Sequence, residues 1–193
     1  MLKKDIEVFC PENQKAWRQW LIENHKFKES VWLVQYKKKS GLPALSWSDA
    51  VDEALCFGWI DSKRISVDEN KFMQLFTKRK PKGTWSKVNK EKINQLIDQG
   101  LMTQAGLDSI ERAKLNGSWT ILDQVEELII PPDLENEFKA NKGSKEFFLS
   151  LSKSVRKVIL SWVTLAKREE TRQKRIIEIA ECAGQKLKPK NFR

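Results

Sequence analysis

Histidine is nearly absent from this chain: His25 is the only one among 193 residues. It reads as a surface residue just past the first helix. Cysteine is scarce as well, and Cys10, Cys56 and Cys182 are far apart and odd in number. With no CxxC pair and no Cys/His cluster, neither a structural zinc site nor a disulfide framework is expected. The 8 glycines form no phosphate-binding fingerprint, so a nucleotide-hydrolysing fold is not expected either. Long apolar runs are missing: nothing approaches the ~20 residues of a membrane span. The N-terminal "MLKKDIEVFCPENQ" carries charge without an apolar run behind it, unlike a secretory signal. No repeat of solenoid length appears. Neither metal nor cofactor is expected, and the cytoplasm is the expected compartment.

Tryptophan and positive charge are abundant. Eight tryptophans can fill a core, form a stacking surface, or do both. The formal net charge of +10 is unevenly spread. Residues 141–193 hold 14 Lys and Arg against 5 Asp and Glu, and residues 63–92 hold 10 against 3. Two basic regions favour an acidic partner such as nucleic acid, anionic lipid or a phosphorylated metabolite. Solubility is the plainer alternative.

The spacing in "PENQKAWRQWLIENH" predicts a first helix, with Pro11 in its first turn and Ala16, Trp17, Trp20 and Leu21 on one face. "SVWLVQY" is β-rich and is expected to end in a Ser-Gly turn at residues 40–41. Ser46 or Ser48 can cap a helix through "WSDAVDEALCFG", which Gly58 closes. "WIDSKRISV" and "KFMQLFTKR" flank "DENK" and read as a hairpin. Pairing across that turn would face residues whose numbers sum to about 139, bringing Asp61 beside Lys78 and Arg79. Beyond the basic loop "KRKPKGTWSKVN", helices are expected after Ser86, from Thr103 to Gly117, and in "PPDLENEFKAN", "SKSVRKVILSWVTLAK" and "ETRQKRIIEIAECAG". The expected architecture is α+β and helix-rich: a small antiparallel sheet with a hairpin, packed by helices. Residues 1–140 would form the core, and 141–193 a basic helical segment packed on it.

In "EALCFGWIDSK", Cys56 ends an apolar helix and reads as a buried structural thiol rather than a nucleophile. Asp61 can pair with a cation, cap a helix or orient a ligand. "FTKRKPKGTWSKVN" combines cations, aromatics and a helix N-terminus whose unpaired amides attract anions. Trp85 there could stack on a base, or simply staple the helix to the core. "AKREETRQKRIIEIA" reads as the solvated face of a docked helix rather than a DNA-recognition helix.

With "ALCFGWIDSK", "FTKRKPKGTWSKVN", "GLMTQAGLDSIERAKLNGSW" and "LAKREETRQKRI" in this order, the chain resembles the YdeI/OmpD-associated, or bacteriocin-protection, family. The resemblance implies a small cytoplasmic bacterial protein without an established reaction, linked by its label to bacteriocin protection or envelope stress. It also implies that the family's characteristic positions fall on Trp59, Ile60, Asp61, Arg79, Trp85, Ser86, Asn89, Gly100, Met102, Gly106, Ala113, Trp119, Lys167, Thr171 and Arg172. Two residues depart from the pattern. Lys78 stands where proline is common and Gly83 where serine is common, and both departures soften the basic loop.

These readings lead to a non-catalytic binder of an anionic ligand, either nucleic acid or a phosphorylated small molecule. The candidate ligand-binding residues are Trp59, Asp61, Lys78, Arg79, Lys80, Lys82, Trp85, Ser86 and Asn89. One rival is a small enzyme on an anionic metabolite, with Asp61 as acid or base and Arg79 as electrostatic clamp. Another is a protein-interaction module anchored by Trp47, Trp85 and Trp119.

Overall fold

The computed structural model describes residues 6–37, 41 and 45–192. The first five residues, and Ser40 of the expected Ser-Gly turn, lie outside the described residues. The chain forms two compact units, residues 1–83 with 88–119, and residues 84–87 with 120–193.

The first unit is α+β. Strand β1 (Val8–Phe9) precedes helix α1 (Gln14–Asn24), strand β2 (Ser30–Tyr36), helix α2 (Trp47–Cys56) and the hairpin strands β3 (Trp59–Ser66) and β4 (Lys71–Lys78). Helices α3 (Lys87–Asp98) and α4 (Gln104–Leu115) follow, with Lys87 falling in the second unit. The sheet order is β1-β2-β4-β3. β4 pairs antiparallel with both neighbours, but β1 runs parallel to β2 and makes the sheet mixed. A two-residue edge strand is too short to leave a periodic signal, which is why the sequence points only to antiparallel pairing.

Alternation along the strands sets the core. Val31, Leu33 and Gln35 face Phe76, Gln74 and Phe72 across the β2–β4 pair, and all six are buried. Against this face α1 sets Trp17 and Trp20, whose rings stack at 5.2 Å. Trp17 also meets Phe76 at 5.4 Å, and Trp20 meets Trp59 edge-on at 5.8 Å. These tryptophans therefore fill the core. Helix α1 starts later than Pro11 suggests because Asn13, in extended backbone, accepts the Ala16 amide at 3.0 Å. Ser46 caps α2 through the Asp49 amide at 3.0 Å. Lys92 of α3 reaches Ser48 at 2.7 Å and Asp52 at 2.6 Å on α2.

The hairpin forms where expected, with a different register. Asp68 accepts the amides of Asn70 at 2.7 Å and Lys71 at 2.8 Å, closing the turn. A bulge between Asp61 and Arg64 then shifts the ladder, so Asp61 lies opposite Phe76 and Lys78 lies opposite Trp59.

The second unit is helical. It holds α5 (Asp123–Glu126), α6 (Pro132–Ala140), α7 (Ser144–Ser150), α8 (Lys153–Thr164), α9 (Glu169–Gly184) and a final 3-10 turn (Lys190–Phe192). Val125, Leu134 and Phe138 share one apolar cluster with Phe148, Ile159, Leu160, Ile176 and Ile179. The helices over 123–140, assigned to the N-terminal core from sequence, thus pack with the C-terminal ones. Arg172 bonds Asp133 twice, at 2.6 and 2.9 Å, and also reaches the Val163 carbonyl at 3.4 Å, joining α6, α8 and α9. Helix α9 begins at Glu169, two residues ahead of Thr171.

Candidate functional site

Two glycines make the first unit's cleft. Helix α2 ends at Cys56, and Gly58 takes φ +72° to turn the chain into β3. A Cβ at Gly58 would lie 3.0 Å from the Ala105 carbonyl oxygen, and one at Gly106 would lie 2.3 Å from the Cys56 carbonyl oxygen. Helix α4 therefore meets the end of α2 backbone to backbone. Thr103 secures the contact, donating to the Cys56 carbonyl from its amide at 3.1 Å and its hydroxyl at 2.7 Å. The Arg79 amide donates to the Gly58 carbonyl at 2.9 Å, so the end of β4 lies beside the same junction.

The resulting cleft has a volume of about 500 Å³. Its walls are the end of α1 (His25, Lys26), Glu29, the α2–β3 junction (Phe57, Gly58, Trp59), the stretch Lys78–Pro81, and one face of α4 (Ala105, Asp108, Arg112). Among the described residues the lining sets Lys26, Lys78, Arg79, Lys80 and Arg112 against Glu29 and Asp108. Lys78 is held by Glu29 at 2.6 Å and by the Lys26 carbonyl at 3.0 Å. Burial pushes the Arg79 guanidinium down to about 10, and the negative charge of Asp61 only partly opposes this.

The loop bearing these cations is firmly held. Lys80, Pro81, Lys82 and Gly83 form a turn in which the Gly83 amide donates to the Lys80 carbonyl at 2.9 Å. Asn116 and Ser118, beyond the end of α4, donate to the Pro81 carbonyl at 2.7 and 3.4 Å. Gly83 closes this turn through its amide.

Of the nine candidate residues, the cleft gathers Trp59, Lys78, Arg79 and Lys80. Asp61 is not in the lining. Its carboxylate, half-buried, accepts Trp47 Nε1 at 3.0 Å and Gln74 Nε2 at 3.2 Å, while its negative charge still acts on Arg79. The ladder places Asp61 opposite Phe76 rather than Lys78, part of that offset arising at the turn and part at the bulge. That arrangement offers no support for Asp61 as acid or base in this cleft. Lys82 is exposed on the turn and Asn89 lies on α3; neither lines the cleft. Trp85 and Ser86 belong to the second unit, where Trp85 is buried. Ser86 directly precedes α3, as expected. Of the three proposed tryptophan anchors only Trp47 is exposed; Trp119 is half-buried, with Lys90 and Lys114 over its ring.

The sequence reading missed His25 and Arg112. His25 caps the end of α1 and lines the cleft, with its ring 5.2 Å from Phe57. No local pattern marks it, because apart from Lys26 and Glu29 its neighbours in the cleft lie more than 30 positions away in sequence. Asp108 and Arg112 did leave a trace, being four apart and therefore on one face of α4.

Cys56 is fully buried, and burial pushes its thiol up to about 11, with Glu53 and Asp52 adding to the effect and Arg18 opposing it. It is a packing residue. In a thiol titration of the native protein at pH 8, exposed Cys10 should react at once, and Cys56 roughly a hundredfold more slowly or only on unfolding. Rapid native labelling of Cys56 would restore the nucleophile reading. Among the described residues, no three His, Cys, Asp or Glu side chains gather to hold a metal ion, and no helix is long and apolar enough to cross a membrane.

No curated protein and no solved structure matches the chain. Two family models do match, and they divide it much as its compact units do. Three of the four blocks that carry the family resemblance begin inside the first match, and only "LAKREETRQKRI" falls inside the second. Residues 127–186 match the model described as bacteriocin-protection, YdeI or OmpD-associated, and through residues 9–109 the chain belongs to the family described as a domain of unknown function (DUF8412).

Proposed function

We propose that the first unit is a non-catalytic, cytoplasmic binder of a small phosphorylated metabolite, held in the cleft between α1, β4 and α4. The observation that carries this reading is Arg79, a half-buried guanidinium in the wall of a concave, cation-rich site. The cost of taking that cation out of water has already been met by folding. An anion that enters gains a strong, weakly screened interaction with it. Arg112 and Lys80, both exposed at the cleft, add attraction over a longer range. A concave site suits a small ligand better than a nucleic acid, which usually follows an extended basic surface.

Glycerol phosphate, titrated calorimetrically, should bind the wild type. Arg79→Gln should weaken it roughly thirtyfold, as expected when a buried ionic partner is removed. Unchanged affinity in that variant would remove Arg79 from the site. Nucleic acid binding is the competing outcome: it would appear as retention of duplex DNA with log K falling by about 0.9 per neutralised phosphate against log salt, without affinity for the small ester.

A further inference from the structure

We infer that the cleft's ligand is a hydroxyl-bearing phosphate ester, a polyol or sugar phosphate, and that His25 recognises one of its hydroxyls. This deepens the reading above and rests on it. His25 Nδ1 lies 2.8 Å from the Leu21 carbonyl oxygen. A carbonyl can only accept, so Nδ1 carries the hydrogen. In the neutral ring this leaves Nε2 as a bare acceptor on the opposite side of an imidazole that lines the cleft. The Phe57 ring, 5.2 Å away, and the backbone tether together fix the imidazole's orientation. Among the described residues, Nε2 makes no hydrogen bond.

The carboxylates in the lining are Glu29, paired with Lys78 at 2.6 Å, and Asp108, which accepts Gln104 Nε2 at 2.7 Å; each keeps a second oxygen to offer. The cleft thus joins a cationic seat to a set of acceptors. A bare phosphate would use only the seat. A ligand with an anionic head and hydroxyls behind it matches both parts, and a volume of about 500 Å³ leaves room for the hydroxylated portion.

The test compares two esters of nearly equal size, glycerol phosphate and n-propyl phosphate, by calorimetry at pH 8, where imidazoles are ordinarily neutral. The wild type should prefer glycerol phosphate by roughly fivefold or more, the factor expected for one or two matched hydrogen bonds. In His25→Phe, which keeps a ring against Phe57 but has no acceptor, that preference should fall toward unity. Equal affinity for the two esters in the wild type overturns the inference without any variant, and leaves phosphate binding in place. A preference that survives in folded His25→Phe removes His25 from the recognition. Binding of neither ester overturns the reading of the cleft itself, and this inference with it.

Discussion

Gly106→Ala should destabilise the first unit by about 3 kcal/mol or more, reversing the usual benefit of alanine in a helix. The added carbon would lie 2.3 Å from the Cys56 carbonyl oxygen, 2.8 Å from the Cys56 carbonyl carbon and 2.7 Å from Met102 Cε. Methionine can move aside. The Cys56 carbonyl cannot move without losing both hydrogen bonds from Thr103. The clash must therefore push α4 away from α2, open the junction beneath Gly58 and spoil the cleft. Gly100→Ala is the control: it has φ +67° but nothing within 4 Å of the added carbon, so it carries only the backbone cost of about 1 kcal/mol. Urea unfolding of the two variants should separate them clearly. A Gly106→Ala protein as stable as wild type would mean that the helices do not approach so closely.

Arg18→Met should cost about 3 kcal/mol, and Arg18→Met with Glu53→Met together should recover most of it. Glu53 has only 7% of its side chain exposed and accepts from Arg18 at 2.6 Å and from Gln14 at 2.8 Å. Arg18 also donates to the Leu101 carbonyl at 2.9 Å and lies over the Phe57 ring at 5.4 Å. Burial opposes the charge on Arg18, but hydrogen bonding and attraction to Glu53 outweigh it and raise its pKa. Removing Arg18 alone leaves a carboxylate inside the protein with one neutral partner. Removing both charges replaces the pair with apolar surface of similar bulk, which buried sites usually tolerate. Equal losses in the single and double variants would show that the stability comes from the shape of the arginine rather than from its charge.

Most of the first unit's local structure was legible because short-range chemistry decides it. Ser46 as a cap, Gly58 as a stop and Asp68 as the turn-former each act within a few residues. The bulge between Asp61 and Arg64 was not legible. Nothing in "DSKR" distinguishes a continuous ladder from a shifted one, and the shift helps to set Asp61 opposite Phe76, with Trp47 and Gln74 as its hydrogen-bond donors. The cleft was half legible for a similar reason. Lys78, Arg79 and Lys80 are consecutive and stand out as a charged run, whereas His25 and Arg112 reach them only through the packing of α1 and α4. The parallel strand β1 was invisible because two residues carry no period.

The tether from Asn116 and Ser118 to the Pro81 carbonyl bears on thermodynamics as well as shape. A cationic loop that swung freely would have to surrender its motion each time it grasped an anion, and affinity would fall accordingly. Here the backbone around Arg79 and Lys80 is anchored at both ends before anything arrives. Association should then proceed with little rearrangement, so that selectivity among candidate guests depends on fit to a ready-made mould.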